Sequence, residues 1–170
     1  MANIMMPNLT ASDGLIASAG LGDEVDIGGC RFGYFKANAT VALTANALCS
    51  IGNTFLATMG TTTTSGAKPT LFCIPQFAVA VSEYFWAPIG PFLNFTPYND
   101  PVTGIPITFK VLALTLAAAD VKLYTTSTDG AVDDSATDLI AGLALTSTVG
   151  GSTAATSCYS VCRMVSNCQD

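Results

Sequence analysis

Turn-forming residues interrupt this sequence so often that no long helix fits between them. Gly, Pro, Asn and Asp recur roughly every 8–12 residues, a spacing typical of all-β sandwiches and barrels. Several of the short apolar runs between these turns alternate with polar or small residues at the period of a β-strand. We therefore predict an all-β protein: a single β-sandwich, jelly-roll-like or barrel domain over residues 25–170, preceded by an extended N-terminal arm over residues 1–24.

The densest aromatic cluster lies between Phe77 and Phe95 and contains the only tryptophan, Trp86. Apolar residues alternate over residues 77–82, which predicts a strand, and residues 84–86 continue with types that favour extended backbone. The Pro and Gly residues at positions 88–91 then bend the chain. We interpret this stretch as a strand, a tight turn and a second strand whose large side chains fill the centre of the core.

The rest of the chain is predicted to be short strands and turns wrapped around that stretch. Residues 127–138 are predicted to be a polar loop, and Gly142 a bulge or a close approach. The strand at residues 109–116 is apolar on both faces and is expected to be buried on both sides. Two strands are predicted about Gly28–Gly29 within 25–37, with Phe32, Tyr34 and Lys36 on one face of the second and Gly33 and Phe35 on the other. The other predicted strands are residues 15–16, 41–49, 54–59, 71–74, 121–125, 139–145 and 158–165.

The composition excludes several classes of function. The chain has no histidine, which removes Ser-His-Asp and Cys-His catalysis, histidine-ligated metals and the usual general base near neutral pH. The formal net charge is −6 without a basic cluster, which argues against direct nucleic-acid binding. No apolar run reaches the ~18 residues of a membrane helix, and we expect no secretory signal. We expect no catalytic residues, no cofactor, no metal and no membrane partner.

Six cysteines lie at positions 30, 49, 73, 158, 162 and 168. Three disulfides would suit a secreted protein, but the chain is long enough to form its own core, so we favour buried thiols. A zinc site at the last three cysteines would need a fourth ligand that is not histidine. A disulfide from Cys168 to another cysteine is the remaining alternative.

Acidic and aromatic residues supply the other candidates. The four aspartates between positions 129 and 138 could bind Ca²⁺, but their spacing is not that of a calcium loop, so we interpret them as a charged turn. Glu83 lacks a partner carboxylate or base, and a turn position accounts for it. The aromatic run at residues 84–86 could stack on a sugar or a base, but we favour a structural core. The aspartates are Asp129, Asp133, Asp134 and Asp138.

Three blocks of the sequence resemble a group of small virion proteins of tailed phages, the capsid decoration or cement proteins. The blocks are SEYFWAPIGP at residues 82–91, AADVKLYTTSTDGAVDD at residues 118–134 and IAGLALTSTVGGSTA at residues 140–154. Their order and spacing agree with that group over residues 70–165. One departure is Ala87-Pro88, where the group usually continues with Val-Gln.

The resemblance implies a non-enzymatic protein that binds the outside of an assembled capsid and clamps neighbouring major capsid proteins. Its expected partners are the major capsid protein and further copies of itself, in a dimer or trimer. Its expected location is the virion exterior, after assembly in the host cytoplasm. The candidate interface or core residues of this chain are Leu15, Ile16, Tyr84, Phe85, Trp86 and Phe92.

Two other functions remain open on the sequence. One is a carbohydrate-binding head fibre or spike for host attachment, whose signature would be exposed aromatic side chains in a groove. The other is a hydrolase, which ranks last because the chain offers so few groups that could act as a base.

Overall fold

The computed structural model describes residues 7–63, 70–92, 108–135 and 138–166. This part of the chain consists of strands and turns, and it contains no helix that is long and apolar enough to cross a membrane. Its strands are β1 Glu24–Ile27, β2 Cys30–Ala37, β3 Cys49–Ile51, β4 Leu56–Met59, β5 Leu71–Cys73, β6 Tyr84–Pro88, β7 Lys110–Ala113, β8 Leu123–Thr125, β9 Ala131–Asp133, β10 Asp138–Ile140, β11 Leu143–Leu145 and β12 Ala154–Ser160.

The strands form two mixed six-stranded sheets, which confirms the predicted all-β sandwich or barrel class. The first sheet has the order β1-β2-β4-β3-β5. Its sixth strand, β6, lies outside this order and pairs antiparallel with β2. The second sheet has the order β10-β8-β9-β7-β12-β11. In each sheet one pair is parallel, β2 with β4 and β7 with β9, and the other pairs are antiparallel.

Short backbone bridges join the two sheets. Val165 bridges to Leu71, the first residue of β5, and the next residue, Ser166, bridges to Ile140 in β10. A third bridge links Phe92, just after β6, to Ser160 at the end of β12. The C-terminal segment therefore ties an edge of the first sheet to an edge of the second.

Strand β2 separates two apolar cores because its alternate side chains point to opposite faces. Phe32 and Tyr34 enter the larger core, which contains side chains from both sheets. Phe35 and Ala37 enter a smaller core on the other face of the first sheet. The sequence predicted this division of β2, and β6 repeats it, with Trp86 in the larger core.

Several predicted strands are wrong in extent. Residues 15–16 form a turn, and only the neighbouring Gly14 makes a bridge, to Tyr84. Residues 41–48 and 77–82 are mostly irregular and meet through one bridge between Leu43 and Val79. Both segments nevertheless bury apolar side chains in the smaller core, so the apolar pattern marked burial rather than a strand.

The second sheet also differs from the prediction. The predicted polar loop contains β9, whose Ala131 and Val132 are buried. The predicted strand at residues 139–145 is two strands, with Gly142 in the turn between them. Strand β7 ends at Ala113, exposes Lys110 and is followed by a turn that leaves Leu116 exposed, so it is not buried on both sides.

Candidate functional site: an apolar arm tip

The segment before β1 lies across β6 and β2 of its own chain. The N–H of Asp13 donates to the carbonyl of Tyr84 at 2.8 Å, and the N–H of Tyr84 donates to the carbonyl of Gly14 at 2.9 Å. Further on, the N–H of Gly22 donates to the carbonyl of Tyr34 at 2.9 Å. Leu9 is buried in the larger core. The arm is therefore attached at both ends to the first sheet.

Side-chain hydrogen bonds add a polar clasp to these backbone contacts. The hydroxyl of Tyr34 donates to Asp13 Oδ2 at 2.7 Å and accepts the N–H of Ser18 at 2.9 Å. Ser12 Oγ donates to Glu83 Oε2 at 2.6 Å. Burial raises the pKa of Tyr34, and its hydrogen bond to Asp13 raises that pKa further. Tyr34 thus stays a neutral donor at physiological pH and can hold the arm.

Between these anchors the arm presents two large apolar side chains to solvent. Leu15 is 71 % exposed and Ile16 is 82 % exposed. They lie between Gly14, which bridges to Tyr84, and Ser18, which donates to Tyr34. We call residues 15–17 the arm tip. Because both of its ends are fixed, ordering it on binding a partner costs little conformational entropy.

The aromatic residues beneath the arm form a packed base. The Tyr34 ring lies 4.9 Å from Trp86 and is stacked 6.1 Å from Tyr84, centroid to centroid. Lys36 Nζ lies 4.8 Å from the centre of the Tyr84 ring. This base holds the clasp residue Tyr34 in place from below.

The aromatic candidates fall mainly in the cores rather than on the surface. Trp86 and Phe92 are buried in the larger core, and Phe85 is buried in the smaller one. Tyr84 is half-buried against the arm. The three buried rings offer no open face to a sugar or a base, and the Tyr84 ring is stacked on Tyr34 and lies under Lys36 Nζ. Only Leu15 and Ile16 of the six candidates are well exposed.

Phe55 is a neighbour of the arm that sequence reasoning missed. An added Cβ at Gly22 would lie 2.5–2.7 Å from its ring, and Gly22 has a φ of +86°. Only glycine fits there, so Phe55 covers the arm where it enters β1. Phe55 and Leu21 are each 38 % exposed and add apolar surface near that point. In the sequence, Gly22 was the feature that could have indicated this close contact.

The acidic candidates make ordinary local hydrogen bonds. Glu83 Oε2 also accepts the N–H of Ala80 at 3.2 Å, which places it in a turn. Asp134 Oδ2 accepts the N–H of Ala118 at 2.9 Å. Burial, with a contribution from Asp134, raises the pKa of Asp133. Within the described ranges no three acidic, cysteine or histidine residues come together as a metal site.

The five described cysteines are thiols, and four of them are buried. Cys49 and Cys73 lie directly opposite each other on β3 and β5. Burial, together with Cys49, raises the pKa of Cys73 well above its usual value. Burial alone raises the pKa of Cys158 far above its usual value. The thiols of Cys73 and Cys158 therefore stay protonated at neutral pH. Cys168 lies outside the described residues.

Comparison of this chain with family models, with curated proteins and with solved structures finds no match.

Proposed function

We propose that this protein is a capsid decoration protein that binds the outer surface of a virus shell and stabilises contacts between major capsid proteins. The proposal assigns no chemical reaction to the chain. The observation that carries it is the arm tip, in which Leu15 and Ile16 are exposed on a segment clasped at both ends.

The arm tip suits a protein partner for an energetic reason. Burying a leucine or isoleucine side chain contributes about 1.5–3 kcal/mol, and the clasp removes much of the entropy that a loose arm would lose on binding. A tip of two side chains binds weakly alone. Repeated copies on a symmetric shell, joined as dimers or trimers, would bind through avidity.

Charge and composition support the same conclusion. Only 11 % of the residues are charged, against about 25 % in ordinary soluble domains. A surface with so few charges loses little hydration energy when it packs against neighbouring subunits. The three sequence blocks that resemble phage decoration proteins agree with this class of function.

The proposal is tested with the virus whose genome carries the gene. Particles made without the gene should assemble but release their DNA at a lower temperature than particles that contain the protein. Adding purified protein back should restore the release temperature and should sediment with the particles. If complete particles contain no copies of this chain, or are equally robust without it, the proposal is wrong.

The arm tip is tested in the same add-back assay with Leu15→Ser/Ile16→Ser. Loss of two apolar contacts should weaken binding by about tenfold or more for each side chain. Val41→Ser is the matched control, because Val41 is 48 % exposed and lies outside the arm. A double variant that binds as well as the wild type would show that the shell is bound through another surface.

A further inference from the structure

A groove of about 280 Å³ opens on the second sheet, away from the arm. It lies where β10 and β11 meet at the turn Ala141-Gly142. Its other walls come from the segment just before β8 and from the end of β12. An added Cβ at Gly142 would overlap Cys162 Sγ, so the turn that forms the floor is tightly packed.

Leu143 in β11 lines this groove but belongs to the buried core. Ser160, opposite Leu143 on β12, exchanges both of its backbone hydrogen bonds with Phe92. Because the N–H of Val161 donates instead to Gly142, the backbone groups of Leu143 point away from β12. Because Leu143 is only 2 % exposed, contacts with a ligand in this groove must come from the side chains around it.

An aromatic ring and two charged side chains stand beside Leu143 in this groove. Tyr159 is half-buried, and its hydroxyl donates to Asp120 Oδ1 at 3.2 Å. Asp120 and Lys122 are exposed and both line the groove. Their opposite charges leave no net charge that would select an ion. Val121 and Val161 give the walls an apolar character.

The geometry favours a small polyhydroxy ligand over a peptide strand. Strand β11 has only three residues, and the carbonyl of Leu145 already accepts the N–H of Asp120. The remaining edge is too short for strand addition, which needs a row of main-chain hydrogen bonds. A sugar needs less: an aromatic face for its C–H groups and an acceptor for its hydroxyls.

We propose that this groove binds a neutral saccharide, with one pyranose ring against Tyr159 and its hydroxyls on the Asp120 carboxylate. This inference does not depend on the capsid proposal, since it involves a different surface and a different class of ligand.

The test is binding of neutral hexoses and short neutral oligosaccharides to the full chain, measured by saturation-transfer NMR and calorimetry. Tyr159→Ala should weaken binding of a saccharide that binds the wild type by about tenfold or more. Asp120→Asn, which removes the charge and keeps the shape, should weaken binding by about threefold or more. Tyr124→Ala is the control, because Tyr124 is half-buried on β8 and does not line the groove.

Thermal unfolding of each variant separates lost binding from lost folding, and Tyr159→Phe gives a milder change at the same ring. It removes the hydroxyl, keeps the face and should retain most of the affinity. The inference is overturned if no saccharide in the panel binds. It is also overturned if Tyr159→Ala and Tyr124→Ala bind equally, or if charged amino acids bind the groove in preference to sugars.

Discussion

The arm tip and the groove are opposite kinds of surface on the two sheets of one protein. The arm tip is exposed and apolar, and the polar groups beside it are used internally, where Tyr34 bonds to Asp13 and Ser18. The groove is concave and exposes polar side chains, those of Asp120 and Lys122, along its wall. A surface with satisfied polar groups suits a protein partner, and one with available polar groups suits a hydroxylated ligand.

The two surfaces also depend on different kinds of support. The arm tip is held by hydrogen bonds between residues far apart in sequence, such as Ser12 with Glu83. The groove is held by a tight turn at Gly142 between adjacent strands. A single hydrogen-bond deletion should therefore loosen the arm, whereas the groove should yield only to a steric change.

The largest expected loss of stability is that of the Gly142→Ala variant. Gly142 has a φ of +77°, and an added Cβ would overlap Cys162 Sγ. Backbone strain and overpacking together should lower the free energy of unfolding by about 2–5 kcal/mol, measured by urea denaturation. Gly29→Ala is the matched control, since Gly29 has a φ of +78° with nothing within 4 Å. It should cost only about 1–2 kcal/mol, and equal losses in the two variants would show that the turn is not tightly packed.

The next largest loss of stability is expected for Tyr34→Phe, which deletes one hydroxyl from the clasp. The Asp13 carboxylate and the Ser18 N–H would each lose a partner, at a cost of about 1–3 kcal/mol. Amide hydrogen exchange at Ser18 and proteolysis at residues 15–17 should both become faster. Tyr124→Phe should change neither rate, and an arm that stays protected in Tyr34→Phe would mean that the backbone contacts suffice.

The pH dependence of stability compares the two regions, because each contains one hydrogen-bonded tyrosine, Tyr34 beside the arm tip and Tyr159 in the groove. Burial is the main cause that raises the pKa of each, and each hydroxyl also donates to an aspartate. A raised pKa in the folded state gives stability that is complete below the unfolded pKa of about 10. That stability is lost as the pH rises through the folded-state pKa. The stability advantage of wild type over Tyr34→Phe should therefore be constant up to about pH 10 and shrink above it.

Tyr159→Phe is the second variant compared with the wild type in the same titration. Tyr159 is the less buried of the two residues, so its advantage should be smaller over the whole range. Urea denaturation at successive pH values measures both. A Tyr34 advantage that grows above pH 10 would contradict the raised pKa.

The smallest expected effect on stability is from Leu15→Ser/Ile16→Ser. Both side chains are mostly exposed, so the free energy of unfolding should change by no more than about 0.5 kcal/mol for each substitution. Thermal unfolding of the purified protein measures this. A large loss of stability would show that the arm tip packs on its own chain and is not held ready for a partner.

Much of the fold was predictable where local pattern and pairing agree. The alternation in residues 25–37 and the two glycines at 28–29 predicted the β1–β2 hairpin and the two faces of β2. The close approach at Gly142 was also predictable, since a glycine inside an apolar strand pattern marks a bulge or a tightly packed backbone. The arm tip residues were named because they are apolar residues in a weakly patterned arm, but the clasp that holds them was not predicted.

The failures share one physical cause, because whether an extended segment becomes a strand depends on which partner it meets. Residues 77–82 alternate well, yet they lie where only Val79 finds a bridge. Residues 131–133 sit in a polar stretch, yet they pair with β7 and β8. No local pattern contains the position of a partner strand that is distant in sequence.

The sequence by itself determined the all-β class, the two faces of β2 and the lack of histidine chemistry, because composition and side-chain period act locally. Only the tertiary structure decided that Tyr34 would reach Asp13 and Ser18, and that Tyr159, Asp120 and Leu143 would share one groove. These residues are brought together by strand order and register, which are set by contacts between segments far apart along the chain.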